Sequence, residues 1–450
     1  MPTISKSVLT LLFLSAPALA QEITSIPLQT RDLAYDPVSR KIYGSVPGAA
    51  GPDGNSVVIL DPFTQAVGPF VPIGSEPGDL ARSDDGQYLY VGLNGSAAVR
   101  RFIIATRTAE LQFSLGTGTF GPNGPEDIAV QPGNPNVVAV SLRRPGVSPR
   151  HGGVAIFDNG VRRPTVTPEH TGSNVIEWSA VPGTLYGFNN ETTEFGFRRM
   201  LVNASGVQTV NTFSTAIVGF NVDIAFHQGV VYATNGAAID PETGASLGSY
   251  PGVFFASAVA ADALQDRVYF LSNNEIQVYR LSNFTFLETI TVPGVVGTSR
   301  SLIRWGGSGL AFRTDSQVFL ISEEPVRQMA VAPRAGDVLV TQAFDVALTI
   351  TAPGTTVTGI ASGSVDGVDI TALLRGSAVP GLVDAGELTL ATLRFPSLGA
   401  KIGERFGAGA HTLAVAVDLA DGLTIPSEIT WNFVDVIENP ARHGPVSARH

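Results

Sequence analysis

The sequence predicts an all-β chain in two domains, and three observations carry that prediction. Short apolar runs recur between clusters of Gly, Pro, Asn and Asp, as strands do between tight turns. Almost no window shows the 3.6-residue period of an amphipathic helix. A four-strand unit repeats along roughly the first two thirds of the chain and then stops. At 450 residues the chain is also too long for one core. Gly 49 and Pro 30, without a collagen-like period, suit many short strands joined by turns.

The first element is a leader. Lys6 is followed by the apolar run Val8-Leu9-Thr10-Leu11-Leu12-Phe13-Leu14 and then by Ala18-Leu19-Ala20 before Gln21. An apolar stretch of that length ending in small residues reads as a signal peptide cleaved after Ala20. No later run approaches the roughly 18 apolar residues of a transmembrane helix, so the expected location is secreted or periplasmic. The net charge of −11 becomes −12 once the leader, with its single Lys6, is removed. An acidic surface argues against nucleic acid as a partner. With no cysteine there are no disulfides, thiolate metal sites or cysteine nucleophiles.

The repeat begins near residue 31. Asp32-Leu33-Ala34-Tyr35, a turn at Asp36-Pro37, and Lys41-Ile42-Tyr43-Gly44 form the first copy. Later copies start at Asp79, Asp127, Val175, Asp223, Ala258 and Ser301, so the spacings are 47, 48, 48, 48, 35 and 43. Each copy continues into further strands, such as Ser56 to Asp61 and Ile276 to Leu281. Four strands per unit at this period are blades of a β-propeller, about seven of them, over residues 21–324. The leftover strand Ile23 to Leu28 is expected to complete the last blade and close the ring.

These D-[LI]-A…[IL]-Y units, with Val57 to Asp61 and Val154 to Asp158 in the third strand, resemble the bacterial lactonase-like or YVTN-type propellers. The resemblance spans about residues 22–322 and implies a seven-bladed fold. For lactonase chemistry it would also imply a metal or a histidine–arginine–glutamate set, which cannot be matched residue by residue here.

After an expected linker at 325–336, residues 337–434 return to alternating strands, among them Phe344 to Ile350, His411 to Val417 and Glu428 to Phe433. About a hundred such residues fit an immunoglobulin-like β-sandwich. His411 is expected to pack or to bond a turn, and residues 435–450 read as a flexible tail.

Candidate site residues follow from the ring. Loops entering the innermost strands converge on the central channel, and each repeat begins there. Asp32, Asp79, Asp127 and Asp223 hold that position in four copies, with Arg31, Glu126 and Arg300 alongside. Such carboxylates suit a hard cation such as calcium, or ligand hydroxyls. Equally, each can clasp backbone N–H groups of the next blade, one structural need repeated by symmetry. A second candidate is the irregular stretch Arg143 to Gly153 with Arg150 and His151, since long ordered loops tend to carry function. The third is Asn189 to Arg199 with Glu191 and Glu194, preceded by His170. Its amides, acids and aromatics suit carbohydrate.

No histidine pair has zinc-protease spacing, and no G-x-S-x-G elbow is present. The reading is therefore a secreted binding or scaffold protein with an extracellular protein or carbohydrate ligand. The alternative is a carbohydrate- or lactone-active enzyme using the acids at the channel mouth.

Overall fold

The computed structural model describes residues 21–322 and, beyond them, 328–332, 338–340, 346–352, 356–377, 379–385, 388–395, 398, 405–406, 409–420, 422 and 424–434. The expected leader, the expected tail, and residues 323–327 and 333–337 lie outside the described residues.

Seven four-stranded antiparallel sheets follow one another in chain order. Blade 1 is Asp32–Asp36, Lys41–Val46, Ser56–Leu60 and Val67–Pro72, written from the innermost strand outward. The other innermost strands are Pro77–Arg82, Gly124–Val130, Val175–Trp178, Ile224–His227, Ala258–Asp262 and Arg300–Trp305. Each touches the next, and the seventh touches the first, so the sheets close a ring. Blade 7 borrows its outer strand from the start of the chain, where Glu22–Ile26 pairs antiparallel with Val318–Ser322. The expected ring closure is therefore met with strand-for-strand register.

Period-2 alternation explains why the blades stack. In Tyr88–Leu93, Leu89, Val91 and Leu93 point into the core shared with blade 1, while Tyr90 points into the core shared with blade 3. Seven such cores alternate with seven sheets around the ring. The aromatic of the second strand recurs as Tyr43, Tyr90, Tyr186, Tyr232 and Tyr269, all buried. A buried tyrosine needs a partner for its hydroxyl. Tyr90 donates to the carbonyl of Pro135 in the next blade at 2.8 Å, stitching the two together.

Beyond the ring, two sheets form. Gln328–Ala332, Val346–Thr351, Leu388–Phe395 and Val379–Ala385 make one, and Val338–Val340, Thr424–Val434, Gly409–Leu419, Val357–Val365 and Val368–Asp369 the other. Both contribute to a single core, with Leu348, Ile350 and Phe395 from the first and Leu413, Val417 and Trp431 from the second. Gln328–Ala332 falls inside the span expected as a linker, yet it pairs with Val346–Thr351. A short helix, Thr371–Ser377, was not anticipated. His411 bonds a turn, with Nδ1 2.6 Å from the Asp366 carboxylate.

Candidate functional site

Antiparallel pairing places the end of every second strand beside the start of the innermost one. The loops that enter strand one and the loops that leave strand two therefore open on the same face, called the upper face below. On it lies a cavity of about 440 Å³ lined by Arg31, Gly78, Asp79, Asn94, Pro125, Glu126, Arg143, Arg300, Arg313 and Asp315. These residues come from blades 1, 2, 3 and 7, which are neighbours in the closed ring.

Backbone irregularity marks the same sector. The first strand pair shifts register between Pro77 and Leu80, between Pro125 and Asp127, and between Arg300 and Ile303. The corresponding pairs of blades 1, 4, 5 and 6 run without a shift. A bulge re-aims side chains at a strand end. Two of the bulges hold Asp79 and Glu126, the third begins directly after Arg300, and all three residues line the cavity. At the third, Ser301 adopts a φ of 54°, a left-handed conformation that costs a non-glycine residue energy.

The arginine loop lines this cavity with Arg143 and backs it with Arg150. Arg150 places Nε 2.6 Å from Glu126, and its backbone N–H meets both Glu191 oxygens at 2.8 and 2.9 Å. Asn174 donates to the same Glu191 at 3.3 Å. Arg143 approaches Glu126 at 3.8 Å and donates to Asn94 at 3.2 Å. Glu126 is thus held between two guanidinium groups in the cavity wall.

The repeated aspartates divide. Asp32 accepts the N–H of Leu80 in blade 2 at 2.9 Å, and Asp127 accepts that of Ile176 in blade 4 at 2.7 Å. Those two are clasps between blades. Asp79 bonds its own N–H and Asp223 that of Ile224. Glu177, which sequence reasoning passed over, accepts from Phe226 in blade 5. Lining a narrow channel raises the pKa of each by desolvation: Asp79 to about 7, with Asp32 and Glu126 adding repulsion, and Glu177 to about 8. Asp223 rises to about 6, again with desolvation as the largest cause, and the Ile224 N–H draws it back down. Asp32 and Asp127 move in the same direction.

Several expected residues take other roles. His151 is buried, has no partner on either ring nitrogen, and packs over Gly172. Burial and then Arg198, Arg144 and Arg150 lower its pKa to about 3, so it is a neutral core residue. His170 is exposed and bonds Thr171 at 2.9 Å. Glu194 ties its own loop, accepting from Asn189, Gly196 and Arg198 at 2.7, 2.8 and 2.7 Å. The aromatics expected to face solvent there do not form a sugar platform: Phe197 is buried and Phe195 packs edge-on against Phe220.

Arg313, Asp315 and Asn94 carry no sequence signal of their own: the loops that leave the second strands of blades 2 and 7 are short, unlike those of blades 3 and 4. The register carries the signal: Arg300 lies opposite Arg313, and Gly124 opposite Arg143. Among the described residues no three His, Asp or Glu side chains gather around one point, so the aspartates do not converge as a calcium site would require. A chelator should accordingly leave the melting temperature unchanged. Asp127→Ala should cost about 1–3 kcal/mol by stranding the Ile176 N–H, measurable by denaturant titration. A drop in melting temperature with chelator would contradict the clasp assignment.

A larger but shallower trough of about 690 Å³ lies on the second domain, formed over short side chains such as Ser362, Ala414 and Ser427. Its ionisable lining groups, Asp369 and Glu428, are both exposed, and its hydrogen bonds tie Thr371 to Asp369 and Gly363 within the wall.

No protein-family profile matches this sequence, and no curated protein matches it. Solved structures do match in fold. The Cps50 (Swd1) β-propeller domain of Myceliophteria thermophila aligns at 14% identity with a TM-score of 0.52, covering 67% of this chain and 99% of that one. Kuenenia stuttgartiensis hydrazine synthase aligns at 14% identity and TM-score 0.50, covering 66% and 96%. The RRP9 WD40 repeats align at 14% identity and TM-score 0.50, covering 68% and 98%. At this identity the likeness establishes the propeller fold and no activity.

Proposed function

We propose that this chain is an exported ligand-binding protein that uses the upper mouth of its propeller as the binding platform. The observation that carries the reading is the coincidence of three strand bulges with one polar cavity. The same face also presents Phe220, Phe254 and Phe255, the last 93% exposed, in the loops entering blades 5 and 6. Exposed aromatics beside a polar pocket suit recognition of a partner larger than the cavity alone. Export rests on the apolar run and Ala18-Leu19-Ala20 of the sequence, and among the described residues no helix is long and apolar enough to cross a membrane. The kinship with lactonase-like or YVTN-type propellers rests on the D-[LI]-A units.

The immunoglobulin-like reading of the second domain is supported by two sheets sharing one core. It would begin at Gln328, later-bounded residues serving as its strands, with the division from the propeller between Ser322 and Gln328. Limited proteolysis in that interval should leave two folded fragments. A single fragment protected throughout would refute the division.

The binding reading is tested by a thermal-shift screen of sugars, organic acids and peptides against the natural chain and an Asn94→Trp variant, whose indole fills the cavity. Hits should vanish in the variant, and hits that persist would place binding elsewhere. A second reading, hydrolase or lyase activity, is favoured by one observation: Asp79 and Glu177 hold protons near neutral pH, as general acids must. Turnover of glycans or lactones that disappears in Asp79→Asn would establish it, and none in the purified chain would remove it.

A further inference from the structure

The strand pairing at blade 7 contains an arrangement that folding alone disfavours. Arg300 and Arg313 stand directly opposite each other across the innermost pair. Like charges in that position repel; burial first, and Arg300 as a smaller contribution, lower the Arg313 pKa against the pull of Asp32 and Asp315. Arg313 is anchored from behind, donating to the carbonyl of Thr30 at 3.1 Å and to the Asp315 carboxylate at 3.3 Å. The Arg300 side chain is exposed and forms no hydrogen bond or ion pair with any other described residue. Its backbone is nevertheless fixed, by the bulge and by the left-handed Ser301 that follows. Both guanidinium groups line the cavity already described.

Taking that cavity as the binding site, we propose that the Arg300–Arg313 pair grips the carboxylate of a small polar acid seated in the channel mouth. Two guanidinium forks match the planar, two-oxygen geometry of a carboxylate, and the anion removes their mutual repulsion. Asp79, Glu126 and Asp315, the last already paired with Arg313 at 3.3 Å, line the same cavity and limit the negative charge it accepts. That balance favours a singly charged carboxylate over phosphate or sulfate. The same acids, with Asn94, accept and donate to hydroxyl groups, so a hydroxylated acid such as a uronate fits the lining.

The test uses the full chain with glucuronate, glucose, inorganic phosphate and sulfate as probes, by isothermal titration. Glucuronate is expected to bind at least tenfold more tightly than glucose and than either inorganic anion. Arg300→Gln should weaken glucuronate at least tenfold, and Arg300→Lys should recover part of the loss. Without ligand, Arg300→Gln should melt at or above the temperature of the natural chain, because it relieves repulsion. A lower melting temperature would make Arg300 a structural residue and overturn the proposal. Equal binding of glucose, or preference for phosphate, would overturn it as well. Hits abolished by Asn94→Trp but indifferent to Arg300→Gln would retain the channel-mouth platform and reject the carboxylate anchor. Absence of any hit sensitive to Asn94→Trp would reject both.

Discussion

Deleting residues 22–28 should abolish cooperative folding of the propeller. Glu22–Ile26 supplies the outer strand of blade 7, pairing residue by residue from Glu22 opposite Ser322 to Ile26 opposite Val318. Ile26 and Leu28 are buried in the core between blades 7 and 1, beside Trp305, Val318 and Leu320. Burying each aliphatic side chain is worth about 1.5–3 kcal/mol. The deletion also uncovers the edge of Val318–Ser322, a strand buried along its whole length. The total approaches the roughly 5–15 kcal/mol that separates a folded domain from its unfolded chain. Circular dichroism and size exclusion should report loss of the melting transition and aggregation. A peptide spanning residues 21–30, added during refolding, should restore part of the transition. A deleted chain melting cooperatively within a few degrees of the natural one would mean the ring does not depend on this closure.

Stability should be greatest near pH 4 and fall toward pH 8.5, and Glu177→Gln should flatten that fall. The channel carboxyls have folded pKa values above those of the unfolded chain: Glu177 moves from 4.5 to about 8 and Asp79 from 3.8 to about 7. The folded state therefore keeps protons that the unfolded chain releases above about pH 4. Their contribution is complete below that pH and is lost as pH rises through 7 and 8. His151 has the opposite sign, because burial holds its folded value at about 3, below the ordinary imidazole value of 6.5. Between pH 3 and 6.5 the unfolded chain binds the extra proton, so His151 weakens the fold as acid is added and offsets the carboxyls there. Above pH 6.5 Glu177 and Asp79 act without that opposition. Glu177→Gln keeps an oxygen for the Phe226 N–H while removing the charge. It should gain on the order of 2 kcal/mol at pH 8.5, after allowance for channel water, and much less at pH 5, where the linkage has only begun. Denaturant titrations at both pH values decide it. An equal effect at both, or a flat wild-type profile from pH 6.5 to 8.5, would refute the assignment.

Much of the ring was legible in the residues themselves. The copies beginning at Asp32, Asp79 and Asp127 each contain a turn and a second strand, and the structure forms both where expected. Asp223 was read as the start of a strand and stands one residue before Ile224–His227. Arg31, Asp79, Glu126 and Arg300 were singled out from position alone and line one cavity. Arg150 and Glu191, taken from different loops, meet directly, through the Arg150 backbone N–H at 2.8 Å and its guanidinium at 3.5 Å. His151 and Glu194 misled because their residue types carry chemistry in general, whereas here burial silences one and loop bonding occupies the other.

What the sequence by itself determined was the set of local choices: which segments alternate, where turns interrupt them, and how often the unit recurs. Those choices are made by side-chain period and backbone preference within a few residues, so they survive being read in isolation. The tertiary structure alone decided which repeated aspartates became clasps, because Asp32 and Asp127 find their N–H partners 48 and 49 residues away. It also decided that Arg300 would face Arg313 and that only blades 2, 3 and 7 would bulge at the inner strand. Register and bulges are settled by how neighbouring blades pack around a closed ring, a condition that no single stretch of chain contains.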